Sequence, residues 1–204
     1  MSTNEALLKR KFWIFDLDGT ITLAAHDFNA IRNQLGIPEG LPIIETLRSL
    51  PENEFIPLKK KLNDIEEKLA RKAIPAPGVR CLLEILFRLN YKLGILTLNS
   101  KENAFSTLES IGLSKFFKKE SVLGRWCTEP KPSPDGIFKM LENWNIQASE
   151  ALMVGDYLYD LQVGRAAKVG TVHVDISGSF AWPELSDIKV KSLDELTKLL
   201  KQNK

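Results

Sequence analysis

Cysteine is scarce in this chain: of 204 residues only Cys81 and Cys127 are cysteines, and they form no CxxC spacing. That argues against a thiolate zinc centre or dithiol redox chemistry. Both are expected to be small buried or inert thiols, Cys81 within an apolar helical pattern and Cys127 in a loop. Long apolar runs are also missing. No stretch approaches the length that spans a bilayer, and Met1 to Lys11 is polar and basic, without the apolar core of a signal peptide. A cytoplasmic protein with no membrane partner is the expectation. An excess of either charge is lacking too: 28 Lys and Arg face 26 Asp and Glu, a net +2. Such a balance provides no general attraction to nucleic acid, so any anion must be held by a local site. Internal repeats and low-complexity tracts are absent.

What remains is an ordinary globular composition, 44% hydrophobic and 26% charged. The length allows one well-buried core with a small accessory module. Short apolar runs alternate with amphipathic stretches, the pattern of a parallel sheet with crossover helices. Strands are expected at Phe12–Asp16, Leu93–Leu98, Ser121–Leu123, Ala151–Val154 and Thr171–Val174. Val79, Leu82, Leu83, Leu86 and Leu89 share one helical face, and Ile137, Leu141 and Trp144 another. Pro77–Gly78, Ser100, Ser133–Pro134 and Ser192 mark helix starts, and a last helix runs from Leu193 to Leu200.

From about Thr22 to Ala76 the alternation stops, and three helical patterns separated by proline and glycine replace it. Their faces are Phe28, Ile31 and Leu35; Ile44 and Leu47; and Leu58, Leu62, Ile65 and Leu69. The simplest account is a helical module inserted after the first strand, with Pro75 and Pro77 at its exit. The clusters Lys59–Lys61 and Lys68–Lys72, interleaved with the acids of Asn63–Glu67, are expected to be a solvated helix face rather than a binding patch.

The chemistry concentrates in Asp16-Leu17-Asp18-Gly19-Thr20, directly after the apolar run Phe12–Phe15. Strand alternation sends Asp16 and Asp18 to the same side, at the carboxyl end of the strand where open α/β sheets hold ligands. Carboxylates that close repel unless a cation or a shared proton compensates, and Mg2+ suits carboxylate, water and phosphate oxygens. Gly19 permits a sharp turn that exposes backbone N–H groups to an anion. The second strand ends in Thr97-Leu98-Asn99-Ser100, offering a hydroxyl. Lys131 sits in the stiff turn Pro130-Lys131-Pro132, a fixed cation for an otherwise acidic site. The fourth strand runs into Gly155-Asp156-Tyr157-Leu158-Tyr159-Asp160, adding carboxylates at the same edge.

These four pieces, in this order, resemble the haloacid dehalogenase-like hydrolase superfamily, in its phosphatase branch with a helical cap between the first two motifs (phosphoglycolate phosphatase-like). The resemblance covers residues 11 to 200. It implies a Rossmann-like doubly wound, mainly parallel sheet of order 5-4-1-2-3, a core of residues 1–21 and 77–204, and an α-helical cap over 22–76. Asp16 then looks like the nucleophile that forms an aspartyl-phosphate, and Asp18 like the general acid/base of both half-reactions. Mg2+ would be held by the Asp16 carboxylate, the Asp18 backbone carbonyl and Asp156, with Asp160 orienting a metal-bound water or Lys131. Thr97 and Lys131 would hold the phosphoryl oxygens.

Gly19 and Thr20 border the same turn, so they count as substrate-binding candidates. Asn99 either touches substrate or serves the turn. Specificity is expected in the cap, where Arg32 could meet a second anionic group of a small phosphate ester, or be a solvated helix charge; His26 and Asp27 lie on the same segment. Arg125 and Trp126 could border the site, whereas His173, Phe180 and Trp182 are expected to be structural. The enzyme is expected to act as a monomer or weak homodimer. Two rivals share the scaffold: a phosphomutase returning the phosphoryl group to another hydroxyl, against which Thr20 leans, and a non-catalytic phospho-ligand-binding protein.

Overall fold

The computed structural model describes residues 3–24 and 26–202. Its centre is β1 (Phe12–Phe15), whose four residues are all apolar. A strand apolar on both sides must be covered on both sides, which a parallel sheet flanked by helices provides. Alternation along β1 divides the interior. Trp13 and Phe15 enter the larger apolar cluster, with Leu82, Leu83 and Leu86 of α5 (Val79–Arg88), Leu108 of α6 (Lys101–Ser110) and Leu196 of α9 (Leu193–Gln202). Ile14 enters the opposite cluster, with Ile137 and Met140 of α7 (Asp135–Trp144) and Val163 of α8 (Leu158–Ala166). Residues one apart therefore face different layers.

The sheet has six strands, all parallel, in the order β3-β2-β1-β4-β5-β6. Its members beside β1 are β2 (Lys92–Leu96), β3 (Val122–Leu123), β4 (Ala151–Gly155), β5 (Gly170–Val174) and β6 (Ile188–Val190). The expected order 5-4-1-2-3 is found, extended by β6 at one edge. That strand was missed because it is three residues long and its one outward residue, Lys189, is exposed. Helix α1 (Thr3–Leu8) was missed as well; it contributes Leu7 and Leu8 to the larger cluster. The register aligns Phe15 with Ile95 on one side and Val154 on the other. The segments leaving β1, β2 and β4 therefore start at one level of the carboxyl edge, at the point between β1 and β4 where the winding reverses.

Between β1 and α5 the chain forms α2 (Phe28–Leu35), α3 (Ile43–Arg48) and α4 (Glu52–Ala70). Asp27 caps α2, accepting from Ala30 N at 2.9 Å, and Gly36 closes it in the left-handed conformation. Ile31, Leu35, Ile37, Ile44, Leu47 and Leu62 form an apolar cluster of their own. Phe28, expected on the apolar face, is instead exposed and stacks on His26. The two connecting strands of chain run side by side: Leu23 N donates to the Ile74 carbonyl and Ala76 N to the Ile21 carbonyl, each at 2.9 Å.

One expectation about charge fails here. Glu66 does not belong to a solvated face; it is 6% exposed and paired with an arginine of the sheet's carboxyl edge. Cys81, expected to be buried or inert, is exposed on α5, where the helix turns it away from Leu82 and Leu83, so of the two alternatives burial does not hold. No described helix is long and apolar enough to cross a membrane.

Candidate active site

Three strand ends and one loop converge at the carboxyl edge. Asp16 leaves β1 with its backbone N–H tied to the Val154 carbonyl at 2.9 Å, so its side chain is held level with the end of β4. Lys131 reaches in from the loop before α7 and is 4% exposed. Its Nζ donates to Asp16 Oδ1 at 2.5 Å and to Asp160 Oδ1 at 2.6 Å. Asp160 lies in the first turn of α8, where its other oxygen accepts from Tyr157 N at 3.1 Å. That capping bond fixes the carboxylate against Lys131.

Asp156 follows β4. Thr20 Oγ1 donates to its Oδ1 at 2.9 Å, while His173 Nε2 lies 3.3 Å from its backbone carbonyl. Gly19, at φ +91°, makes this approach possible: a Cβ there would sit 2.2 Å from Asp156 Oδ2. Asp18 accepts from Asn99 Nδ2 at 2.6 Å and from Thr22 Oγ1 at 3.4 Å, and His26 Nδ1 lies 3.6 Å from Asp18 Oδ1. Thr97 is buried at the end of β2, its hydroxyl accepting from Asn99 N at 3.1 Å.

Carboxylate oxygens of Asp16, Asp156 and Asp160 all lie within 4.8 Å of one another. Burial first, and then the neighbouring carboxylates, hold Asp16 well above the ordinary aspartate range despite Lys131. Burial and Asp160 push Asp156 up to about 6. Asp18 is also raised, chiefly by burial, with His26, Lys131, Asn99 and Thr22 opposing the rise. Burial acts against the Lys131 ammonium, but Asp16 and Asp160 outweigh it and keep its pKa above the usual lysine value. Four carboxylates around one ammonium leave the site under-compensated by positive charge. Such a donor set fits a hard divalent cation such as Mg2+, which takes carboxylate and carbonyl oxygens.

The structure thus brings together Asp16, Asp18, Gly19, Thr20, Thr97, Asn99, Lys131, Asp156 and Asp160. Asn99 turns its amide to Asp18. Arg32 is not brought in: it is half-buried on α2, its Nε donating to the Leu41 carbonyl at 2.8 Å and its Nη1 to Asn29 at 3.0 Å. Trp126 packs against the cluster of α2 to α4, edge-on to Phe55. His173 is buried in β5 between Phe180 and Trp182, consistent with a structural role that also touches the Asp156 carbonyl.

Sequence reasoning missed the buried pair behind the site. Arg125, 1% exposed, donates through Nη1 to Glu66 at 2.7 and 2.9 Å and to the Leu98 carbonyl at 2.8 Å, and through Nη2 to Asn63 Oδ1 at 2.8 Å. Asn103 adds a bond to Glu66 at 3.0 Å. The only sequence signal was a lone acid at helical spacing with Leu62 and Leu69, which gives no hint of its partner.

Comparison with known proteins agrees with this geometry. The family described as haloacid dehalogenase-like hydrolase matches residues 13–174. An uncharacterised hydrolase of Saccharomyces cerevisiae is 27% identical over an alignment of 194 residues that covers 92% of this chain and 89% of that protein. A phosphoglycolate phosphatase of Pseudomonas savastanoi is 24% identical over 214 residues, covering 93% of this chain and 78% of its own. Among solved structures, a hydrolase from Pseudomonas syringae superposes with a TM-score of 0.73 at 23% identity, covering 94% of this chain and 98% of that one.

Proposed function

Because the chain belongs to the haloacid dehalogenase-like hydrolase family, we propose that it is a Mg2+-dependent phosphatase that hydrolyses a small phosphate monoester through an aspartyl-phosphate on Asp16. The observation that carries this reading is the Asp16–Lys131–Asp160 chain of contacts beside Asp18 and Asp156 at one sheet edge. Phosphatases among the relatives support the reaction class.

Mg2+ would be held by the Asp16 carboxylate, the Asp18 carbonyl and Asp156, where it offsets the repulsion between a dianionic phosphoryl group and an anionic nucleophile. The protein's own residues do the rest. Asp16 is fixed by the Val154 carbonyl and Lys131, so one oxygen is oriented for attack on phosphorus. Lys131 and the Thr97 hydroxyl supply a cation and a donor for the phosphoryl oxygens. The bond from phosphorus to the ester oxygen breaks as the Asp16 bond forms, and Asp18 gives its proton to the departing alkoxide. Asp18 then takes a proton from the water that cleaves the aspartyl-phosphate, restoring both carboxyl groups. Burial, which raises Asp18, suits a group that must hold a proton at the first step and accept one at the second. Asn99 and Thr22 hold that carboxyl in place.

Residues 22–76 act in this reading as a helical cap on a core of residues 1–21 and 77–204, moving on the paired segments around Thr22 and Pro75. The substrate is a small-molecule ester in the cytoplasm.

The test is phosphate release from a panel of small phosphate esters, with and without Mg2+, in the wild type and in Asp16→Asn. Release that requires Mg2+ and disappears in the variant supports the reading. Equal release by both proteins, or none by the wild type with bound metal demonstrated, would overturn it.

A further inference from the structure

Asp16, Asp156 and Asp160 present carboxylate oxygens within 4.8 Å of one another, but the three are not equally restrained. Asp16 and Asp160 share the Lys131 ammonium. The Asp156 carboxylate has the Thr20 hydroxyl at one oxygen instead. Repulsion among the three therefore bears hardest on Asp156, which sits on the short segment between β4 and α8. What holds it must act largely through its backbone.

That hold comes from β5. The register pairs Gly155 with His173, so the imidazole stands where the chain leaves the sheet for Asp156. Val172 and Val174 enter the larger apolar cluster, and alternation sends His173 to the other face. There its Nε2 lies 3.3 Å from the Asp156 carbonyl oxygen. A carbonyl can only accept, so Nε2 is the nitrogen that carries a proton and donates.

The ring is held against this contact on several sides. It is buried, with the Phe180 and Trp182 rings each centred 5.6 Å away and the Ser186 hydroxyl 3.4 Å from Nδ1. Those three residues belong to the connection between β5 and β6. Asp175 ties the start of that connection, its carboxylate accepting from Ser177 N at 2.9 Å and from Phe180 N at 2.7 Å. Trp182 also packs edge-on to Tyr157, the residue after Asp156, with ring centres 5.5 Å apart. The Asp156 carbonyl and the side chain that follows it are thus both braced by the β5 side of the sheet.

We propose that His173 is a positioning residue for Mg2+ binding: its Nε2–H fixes the Asp156 peptide, so that the carboxylate meets the cation already oriented. The inference rests on the Mg2+-dependent phosphatase reading and deepens it. Order built in by folding does not have to be imposed when the cation binds. Where a bond supporting a metal ligand is lost, the cation must impose that order itself, and affinity falls by about 10–100-fold. The bond here goes to the backbone of the ligating residue rather than to its carboxylate, which places the effect at the low end of that range.

Calorimetric titration of the metal-free full chain with Mg2+ tests this without relying on turnover. His173→Phe keeps the ring contacts and removes the donor, and its dissociation constant is expected to rise about tenfold. His173→Gln and His173→Asn carry the same amide at two reaches, and only that of Gln extends as far as Nε2. Gln is expected to stay within about threefold of the wild type and Asn to weaken as Phe does, each variant being checked for folding by circular dichroism. The Mg2+ concentration for half-maximal phosphate release should rise by the same factors. A folded Phe variant that binds Mg2+ within about twofold of the wild type overturns the proposal. Equal losses in Gln and Asn overturn it too, because packing rather than the N–H would then be responsible. Should Phe fail to fold, the Gln and Asn pair decides alone. A wild type that binds no Mg2+ sinks the metal-dependent reading and this inference with it, whereas a wild type that binds Mg2+ no better than its variants sinks this inference alone.

Discussion

Removing Arg125 tests how α4 is held to the sheet. The side chain is 1% exposed and makes four hydrogen bonds, two of them to the Glu66 carboxylate. In Arg125→Met the apolar stem is kept, but Glu66 becomes a buried carboxylate whose remaining partner is the Asn103 amide. Breaking a buried pair from one side costs about 3–5 kcal/mol, because the stranded charge loses both water and partner. Against a total stability of about 5–15 kcal/mol that is a large fraction. At about 2–4 °C per kcal/mol for a chain of this size, the melting temperature should fall by roughly 6–20 °C.

Adding Glu66→Leu removes the stranded charge, and the double variant should recover most of the loss, since a well-packed apolar replacement of a buried pair is often neutral. Urea denaturation of the wild type, both single variants and the double variant gives the full cycle. A single-variant loss under about 1 kcal/mol, in the range of an exposed ion pair, would refute the account of this contact.

Three further outcomes follow from the site. Asp156 is raised to about 6, so in the metal-free protein its proton is fully bound below the unfolded value and lost as pH rises through about 6. Stability from this group therefore declines across that window, by up to ~3 kcal/mol for a shift of about 2 units. Mg2+ favours the ionised carboxylates, so its melting-temperature gain should be larger near pH 7.5 than near pH 5; equal gains at the two values would contradict this. Gly19→Ala forces a methyl group to 2.2 Å from Asp156 Oδ2 at φ +91°, and calorimetry should show Mg2+ affinity lost. Gly36→Ala, at φ +72° with no atom within 4 Å, should cost only ~1 kcal/mol of stability and leave phosphate release unchanged.

The strands were legible because each is a short apolar run bounded by turn residues, and their carboxyl ends carry the acids. Phe12–Phe15 followed by Asp16 needs no partner to be read, since a continuous apolar run of strand length ends in an acid. β6 was not legible, since Ile188-Lys189-Val190 is too short to show a period and gains its place only by pairing with β5. Asp16, Asp18, Lys131 and Asp156 were named from motif and chemistry because each is next to a strand end or a proline. Arg125 was named only as a residue that could border the site, and its pairing with Glu66 was not read, because the two meet across 59 residues and the pair has no local signature. Arg32 was offered as an anion contact on charge alone, and its guanidinium is spent on Leu41 and Asn29, which no periodicity reveals. His26 was noted only for its place on the segment that follows the first strand; its approach to within 3.6 Å of Asp18 appears only in the fold.

The central claim is the covalent step on Asp16. The most direct measurement is to mix the wild-type protein with Mg2+ and a hydrolysed ester, quench it, reduce with borohydride, and sequence the peptide containing residue 16 by mass spectrometry. An acyl phosphate at that position is reduced to the alcohol, so homoserine in place of Asp16, dependent on both ester and Mg2+, is the predicted result. An unmodified Asp16 peptide from an enzyme turning over under the same conditions would contradict the account.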